Sequence, residues 1–231
     1  MYNMLGTTVN TVAIILGALA GALLKKGMPK RISEAMTTAV AMIVLYIGID
    51  GLGVGSNTMV LVFSVIIGGL LGTVLDLDGR LHRLGEKVEE KLTKGESKGS
   101  IAEGFVSASL LFCVGAMTIM GPLKSGLSGD HEIQYTKAIL DCISAVVFAS
   151  ALGGLGVGLS SVSVFVLQGA ITLLAKVIAP YLSDYTIGEM TCAGSVLIII
   201  LGLNLLGVTK VKIVNYLPAI FLPVVFCLFM K

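Results

Sequence analysis

Charge is scarce in this chain of 231 residues and tryptophan is absent: 13% of residues are charged and none is Trp. A soluble domain keeps about a quarter of its residues charged. With 55% hydrophobic residues and a mean hydropathy of +0.97, the shortage of charge excludes a water-soluble globule. The only histidines are His82 and His131, far apart in sequence, so a histidine dyad or metal cluster has no support. Cys113, Cys142, Cys192 and Cys227 follow no metal-ligand spacing and read as small buried apolar residues. No P-loop or other nucleotide motif occurs, which excludes transport driven directly by ATP. No metal, cofactor or nucleic acid is expected.

What is present in abundance is apolar sequence in runs of about 20 residues, enough to cross a hydrocarbon core roughly 30 Å thick. Eight spans are expected, at 4–24, 34–53, 57–76, 101–121, 136–157, 160–179, 187–206 and 211–230. The first has no basic region before it and continues into Lys25 and Lys26, so it reads as a retained spanning helix rather than a cleaved leader. Cytoplasmic loops are enriched in Lys and Arg. With both termini outside, 12 basic residues fall on the inner side and four (Lys124, Lys137, Lys176 and Lys231) on the outer. Seven spans would move Lys210 and Lys212 outside and fit less well. The chain is thus expected to be an all-α, multi-pass protein of the cell inner membrane, one domain over 1–231.

Within 77–100, Leu77, Leu81, Leu84, Val88 and Leu92 recur at helical spacing among charges of both signs. This predicts an amphipathic cytoplasmic helix followed by the linker "TKGESKGS" (93–100), joining two halves.

The halves resemble each other. "MTTAVAMIVLYIGIDGLG" (36–53) aligns without gaps with "MTCAGSVLIIILGLNLLG" (190–207), placing Asp50 opposite Asn204. Gly17-Ala18 matches Gly169-Ala170 after a two-residue gap. Span one then pairs with span six, two with seven and three with eight. Mates five spans apart run in opposite directions, so spans 1–3 and 6–8 form an inverted-topology repeat. Such repeats recur in secondary transporters. The pairs Gly17/Gly21, Gly68/Gly72 and Gly154/Gly158, each four apart, suit close helix contacts. They also suggest a homodimer.

"GPLKSGLSGDHEIQ" (121–134) interrupts the apolar pattern. Gly121 and Pro122 are expected to stop span four. Gly126 and Gly129 permit turns, and Asp130 can cap a helix beginning near His131. With Ser128, these residues form either an ordinary loop or a re-entrant gate. "GLSGD" lacks the second glycine of G-x-S-x-G, because Asp130 stands there, and it also misses G-x-G-D, so an enzyme is not expected.

The stretches "LGTTVNTVAIILGALAGALLKKGMP" and "CVGAMTIMGPLKSGLSGDHEIQYTKAILDCISAVVFASALG", together with "LIIILGLNLLGVTKVKIVNYLPAIFLP", resemble the bacterial membrane protein family typified by YqgA and YdfK. The resemblance covers almost the whole chain and implies a membrane protein with a transport role. It brings no substrate and no binding residues.

Candidate substrate- or ion-binding residues are polar side chains in or beside spans, because a charge in hydrocarbon normally faces protein or water. Asp141 leads, followed by the repeat mates Asn204 and Asp50. Gln168, Asn215, Ser107, Ser109, Thr118 and Ser144 complete the set. Glu34 and Glu189, near starts of spans, read as solvated acids that favour the helix dipole. The function expected is secondary transport of a small solute or ion. An ion channel and a non-transporting assembly or partner-binding protein are the alternatives. The topology has a direct check: in a cysteine-free background, Gly95→Cys should react with an impermeant thiol reagent only after the cells are permeabilised.

Overall fold

A computed structural model describes residues 4–25, 29–81, 83 and 100–229. The main elements are α1 (Leu5–Lys25), α2 (Lys30–Leu52), α3 (Thr58–Val74), α4 (Ser100–Cys113), α5 (Ala116–Ser128), α6 (Glu132–Leu152), α7 (Gly154–Leu173), α8 (Asp184–Leu205) and α9 (Leu222–Phe229). A 3-10 helix, Ile213–Ile220, precedes α9, and among the described residues no strand occurs. Helices α1, α2, α6, α7 and α8 are long and apolar enough to cross a membrane, and the bent pair α4–α5 makes a sixth candidate. Helix α3 and the stretch Ile213–Phe229 are apolar but shorter. Seventeen helical residues rise only about 26 Å.

Two expected boundaries move. Span four does not end at Gly121-Pro122; it breaks earlier, at Gly115, whose φ of 115° disfavours a side chain. The chain bends there by 62°, and Thr118 Oγ1 braces the break by donating to the Phe112 carbonyl at 3.0 Å. Pro122 lies inside α5, and Gly121, Pro122 and Gly126 are all buried. Gly129, at φ 72°, does end α5 as a left-handed cap. Spans five and six are divided not near residue 158 but at Gly153, with φ 112°. Gly154, Gly156 and Gly158 all belong to α7. Of 77–100, residues 77–81, 83 and 100 are helical. Residues 82 and 84–99, and with them most of the expected amphipathic helix and its linker, lie outside the described residues.

Glycines give the bundle its closest contacts. A Cβ on Gly17 would overlap the Cys142 carbonyl oxygen, and one on Gly21 the Val146 carbonyl oxygen. The numbers rise together, so α1 and α6 are parallel. Thr7 meets Thr172 while Gly154 meets Ala22, so α1 and α7 are antiparallel. Gly48 sits against Ile199 and Gly55 against Cys192, making α2 and α8 antiparallel. Gly68 abuts Ala219 and Gly72 abuts Asn215, so α3 runs against the 3-10 helix. All three glycine pairs noted in the sequence therefore meet partners within the chain, and the argument from them for a homodimer lapses.

These contacts have a cost if filled. A Cβ on Gly72 would overlap the Asn215 carbonyl oxygen, whereas the nearest atom to one on Gly53 is 3.5 Å away. Gly72→Ala should destabilise by about 1–3 kcal/mol, the usual range for overpacking. Gly53→Ala should be neutral within about 0.5 kcal/mol. Thermal unfolding of the two solubilised variants checks the contrast.

Candidate functional site

Polar residues inside α1, α6 and α7 recur at steps of three and four, so each helix turns one polar edge inward. Helix α1 contributes Thr7 and Asn10, α6 contributes Gln134, Lys137 and Asp141, and α7 contributes Gln168 and Thr172. All seven are buried. Gly6 and Gly121 lack the Cβ atoms that would crowd Gln134.

The edges meet in two tiers. In the deeper tier, Lys137 Nζ lies 2.9 Å from Asp141 Oδ1 and 2.8 Å from Oδ2, astride the carboxylate. Asn10 Nδ2 donates to Asp141 Oδ2 at 3.0 Å and to Gln168 Oε1 at 3.3 Å. Two atoms of this tier, Asn10 Oδ1 and Gln168 Nε2, are buried without a hydrogen-bond partner. The second tier lies about one helical turn away. Gln134 Nε2 donates to Thr7 Oγ1 at 2.9 Å, and the Thr7 and Thr172 hydroxyls are 3.4 Å apart. Ser125 Oγ hydrogen-bonds Gln134 Oε1 and lies 2.6 Å from His131 Nδ1. His131 is half-buried, so the polar column runs from one end of the bundle to Asp141.

The expected site residues divide accordingly. Asp141 and Gln168 are joined through Asn10. Of the 121–134 stretch, Ser125, His131 and Gln134 belong to the column, and Gly121 packs on Gln134. Asp130 Oδ1 accepts from the Glu132 amide at 3.0 Å, a turn at the start of α6, and Ser128 caps back to the Lys124 carbonyl. Gly126 packs on the Thr172 carbonyl rather than turning the chain. Ser144 is half-buried on α6. Ser109 bonds Ser163 at 3.1 Å, tying α4 to α7.

Other candidates gather at the opposite end. Ser107, Asn204, Asp78, Glu103, Lys210 and Lys212 are among the residues lining a cavity of about 410 Å³. There Asn204 braces the turn after α8, donating to the Val211 carbonyl at 2.8 Å. Asn215 Oδ1 accepts from the Asp78 amide at 2.9 Å. Asp50 is exposed near the C-terminal end of α2, so the repeat mates Asp50 and Asn204 are not brought together. Glu34 is exposed and pairs with Lys30 at 3.8 Å. Glu189 is not solvated, contrary to expectation. It is 1% exposed, and its Oε1 accepts from the amides of Ser56 at 2.6 Å and Asn57 at 2.9 Å.

Thr7, Asn10, Ser125, Gln134, Lys137 and Thr172 were not among the expected site residues. Signals for two existed: Asn10 is an amide within the first apolar run, and Lys137 stands four residues before Asp141 on one helix face. Lys137 is buried rather than a loop charge, which leaves three basic residues on the outer side of the topology count.

Removing one partner of a buried pair leaves an uncompensated charge and costs about 3–5 kcal/mol. Lys137→Met should lower stability by that order. Adding Asp141→Asn to it should recover part of the loss, because the remaining side chain is neutral. A double-mutant cycle by thermal unfolding measures the coupling.

The chain matches a family described as "Protein of unknown function (DUF554)" over residues 5–228. It is 34% identical to "Uncharacterized membrane protein YdfK" of Bacillus subtilis, over 95% of this chain and 94% of that one. It is 28% identical to "Uncharacterized protein YqgA" of Escherichia coli, over 94% of each. No solved structure matches it. On the near-complete span of that match, the chain is a member of the DUF554 family of uncharacterised membrane proteins.

Proposed function

We propose that the protein is a secondary transporter that moves a small solute or ion across the bacterial inner membrane by alternating access. The observation that carries the reading is the deeper polar tier. An ionised group at the centre of a span costs about 2.5–3.5 kcal/mol on insertion scales. This bundle nevertheless holds Asp141, Lys137, Asn10 and Gln168 together, and leaves one acceptor and one donor among them unpartnered. A purely structural network gains by satisfying every member. Open valences beside a carboxylate suit a site with something to bind.

Helix directions support the same reading. Mates one and six, two and seven, and three and eight pack directly on each other and run in opposite senses. An inverted repeat whose two copies exchange roles would need its mates to run in opposite senses, as these helices do. In this reading α3 and Ile213–Phe229 serve as short spans, which brings the crossings to eight.

Asp141→Asn keeps the side-chain shape and removes its charge. Both proteins would be matched for thermal stability and oligomeric state, then reconstituted into liposomes. Wild type should show saturable uptake from a panel of labelled solutes and alkali cations under an imposed proton or sodium gradient, and the variant should show none. Equal gradient-driven uptake by the two would remove Asp141 from coupling, and unitary currents would identify a channel instead.

A further inference from the structure

We propose that the protein holds one anionic glycerophospholipid of the phosphatidylglycerol type. Its phosphodiester sits in the cavity of about 410 Å³ beside Ser107 and Lys210, and an acyl chain lies in the apolar cleft next to it. The site shares no residue with the Asp141 cluster and goes beyond the transport reading without resting on it.

The cavity is charged at its mouth and hydroxylated within. Lys210, Lys212 and Glu103 are exposed along it. Lys212 Nζ lies 3.7 Å from Asp78 Oδ2, whereas neither Lys210 nor Glu103 has an ion-pair partner among the described residues. Ser107 lies two turns into α4, about 10 Å from the start of the helix. It is 0% exposed, and its hydroxyl has no hydrogen-bond partner. A hydroxyl within a helix usually bonds a carbonyl of the preceding turn. This one does not, and a buried polar group left unmade is costly. A donor held open beside two ammonium groups suits an oxyanion.

An apolar extension gives the oxyanion a tail. Leu81, Val106 and Val214 wall both this cavity and a cleft of about 400 Å³ between α4, α7 and the 3-10 helix. Phe105, Leu110, Leu167 and Leu217 line that cleft, with the exposed Arg80. The cleft in turn shares Cys113, Leu167, Ile220 and Phe221 with a further apolar space of about 250 Å³ that reaches Tyr181. A soluble anion would use the first cavity and leave the other two bare. A phosphate joined to an acyl chain uses all three.

Charge selects the head. Lys210, Lys212 and Arg80 stand against Asp78 and Glu103, an excess of one positive charge. A phosphodiester lipid with a single negative charge cancels that excess, and a zwitterionic lipid leaves it in place. Basic side chains clustered at a membrane surface read anionic lipid in this way. Glu103 refines the choice, because an ionised carboxylate repels a second negative charge but accepts from a hydroxyl. A glycerol head carries hydroxyls and no further charge.

The test uses the solubilised full chain, stripped of lipid in detergent, and native mass spectrometry. Palmitoyl-oleoyl phosphatidylglycerol is titrated against the phosphatidylethanolamine and phosphatidylcholine of the same chains. The first phosphatidylglycerol should bind at least about fivefold more tightly than either. Lys210→Gln should weaken that step about fivefold, the loss expected for one basic side chain near an anionic lipid. Ser107→Ala should weaken it by about the same factor, as for one hydrogen bond. Lys124→Gln, beside Ser125 at the other end of the bundle, should change nothing. Val106→Phe narrows the way from cavity to cleft and should abolish the step. Equal binding of the three lipids overturns the site, as does tighter binding of a zwitterionic one. Wild-type binding by both Lys210→Gln and Ser107→Ala overturns it too. Inorganic phosphate and glycerol phosphate separate the sources. If either raises the unfolding midpoint of wild type but not of Lys210→Gln, the cavity takes a free anion and the lipid proposal falls; no response sustains it. Should Val106→Phe not fold, the Lys210 and Ser107 variants and the free-anion arm decide.

Discussion

A carboxylate surrounded by hydrocarbon has to be neutralised by what it touches, because no water is there to do it. Asp141 meets that demand with Lys137 from its own helix and Asn10 from α1. The requirement propagates. Asn10 can reach Asp141 only if α1 lies close against α6, and Gln168 can join only if α7 closes on α1 from the other side. The polar cluster therefore dictates a three-helix junction, and the junction needs thin helix surfaces. Gly17 and Gly21 supply them, letting α1 touch the α6 backbone at Cys142 and Val146. Packing and polarity are one constraint here: filling either glycine would push α1 away and weaken the donor that Asp141 uses.

The same economy recurs across the molecule. Gly48, Gly51 and Gly55 seat α2 on α8, and Gly68, Gly69 and Gly72 seat α3 on the 3-10 helix. Lipid tails are as apolar as leucine, so close van der Waals approach between helices replaces the hydrophobic drive available in water. Close approach also brings Glu189 of α8 within reach of the turn before α3, where it takes the amides of Ser56 and Asn57. A bare helix N-terminus in a membrane protein would leave those donors unpaired.

Much of this was legible in the sequence, for physical reasons that also explain the failures. Long apolar runs identify α1, α2, α6, α7 and α8, because 20 such residues have few other uses. Asp141 stood out since a lone acid in such a run needs a purpose. Lys137 was equally visible at i−4, but a lysine near a span boundary also fits a snorkelling loop charge, and the topology count absorbed it. Composition cannot tell a glycine that turns the chain from one that admits a neighbouring helix. Gly115 and Gly153 turn, with φ of 115° and 112°, while Gly121, Gly126 and Gly154 admit partners. That distinction depends on residues distant in sequence, such as Gln134 for Gly121 and Ala22 for Gly154. Ser125 and Thr172 were hidden likewise, since a hydroxyl in a helix usually bonds its own backbone.

The polar column is one-sided, and this shapes the transport reading. From His131 through Ser125, Gln134 and Thr7 to Asn10 and Asp141, successive turns carry groups able to hydrate or pass an ion. Beyond Asp141 the character changes abruptly. Gly17 and Gly21 pack on Ala145 and Ala149, and Ala18 packs on Gly158, so small residues line the seam. The charged cavity lined by Asp78, Glu103, Lys210 and Lys212 lies at the other end, walled by different helices. In the transport reading, access from that end would need the glycine–alanine seam of α1 and α6 to part. Opening it would break the hydrogen bond from Lys25 Nζ to the Ala151 carbonyl, 3.0 Å long, which ties the end of α1 to α6. In the transport reading that bond and the one from Asn10 to Asp141 would both have to give way before the seam opened.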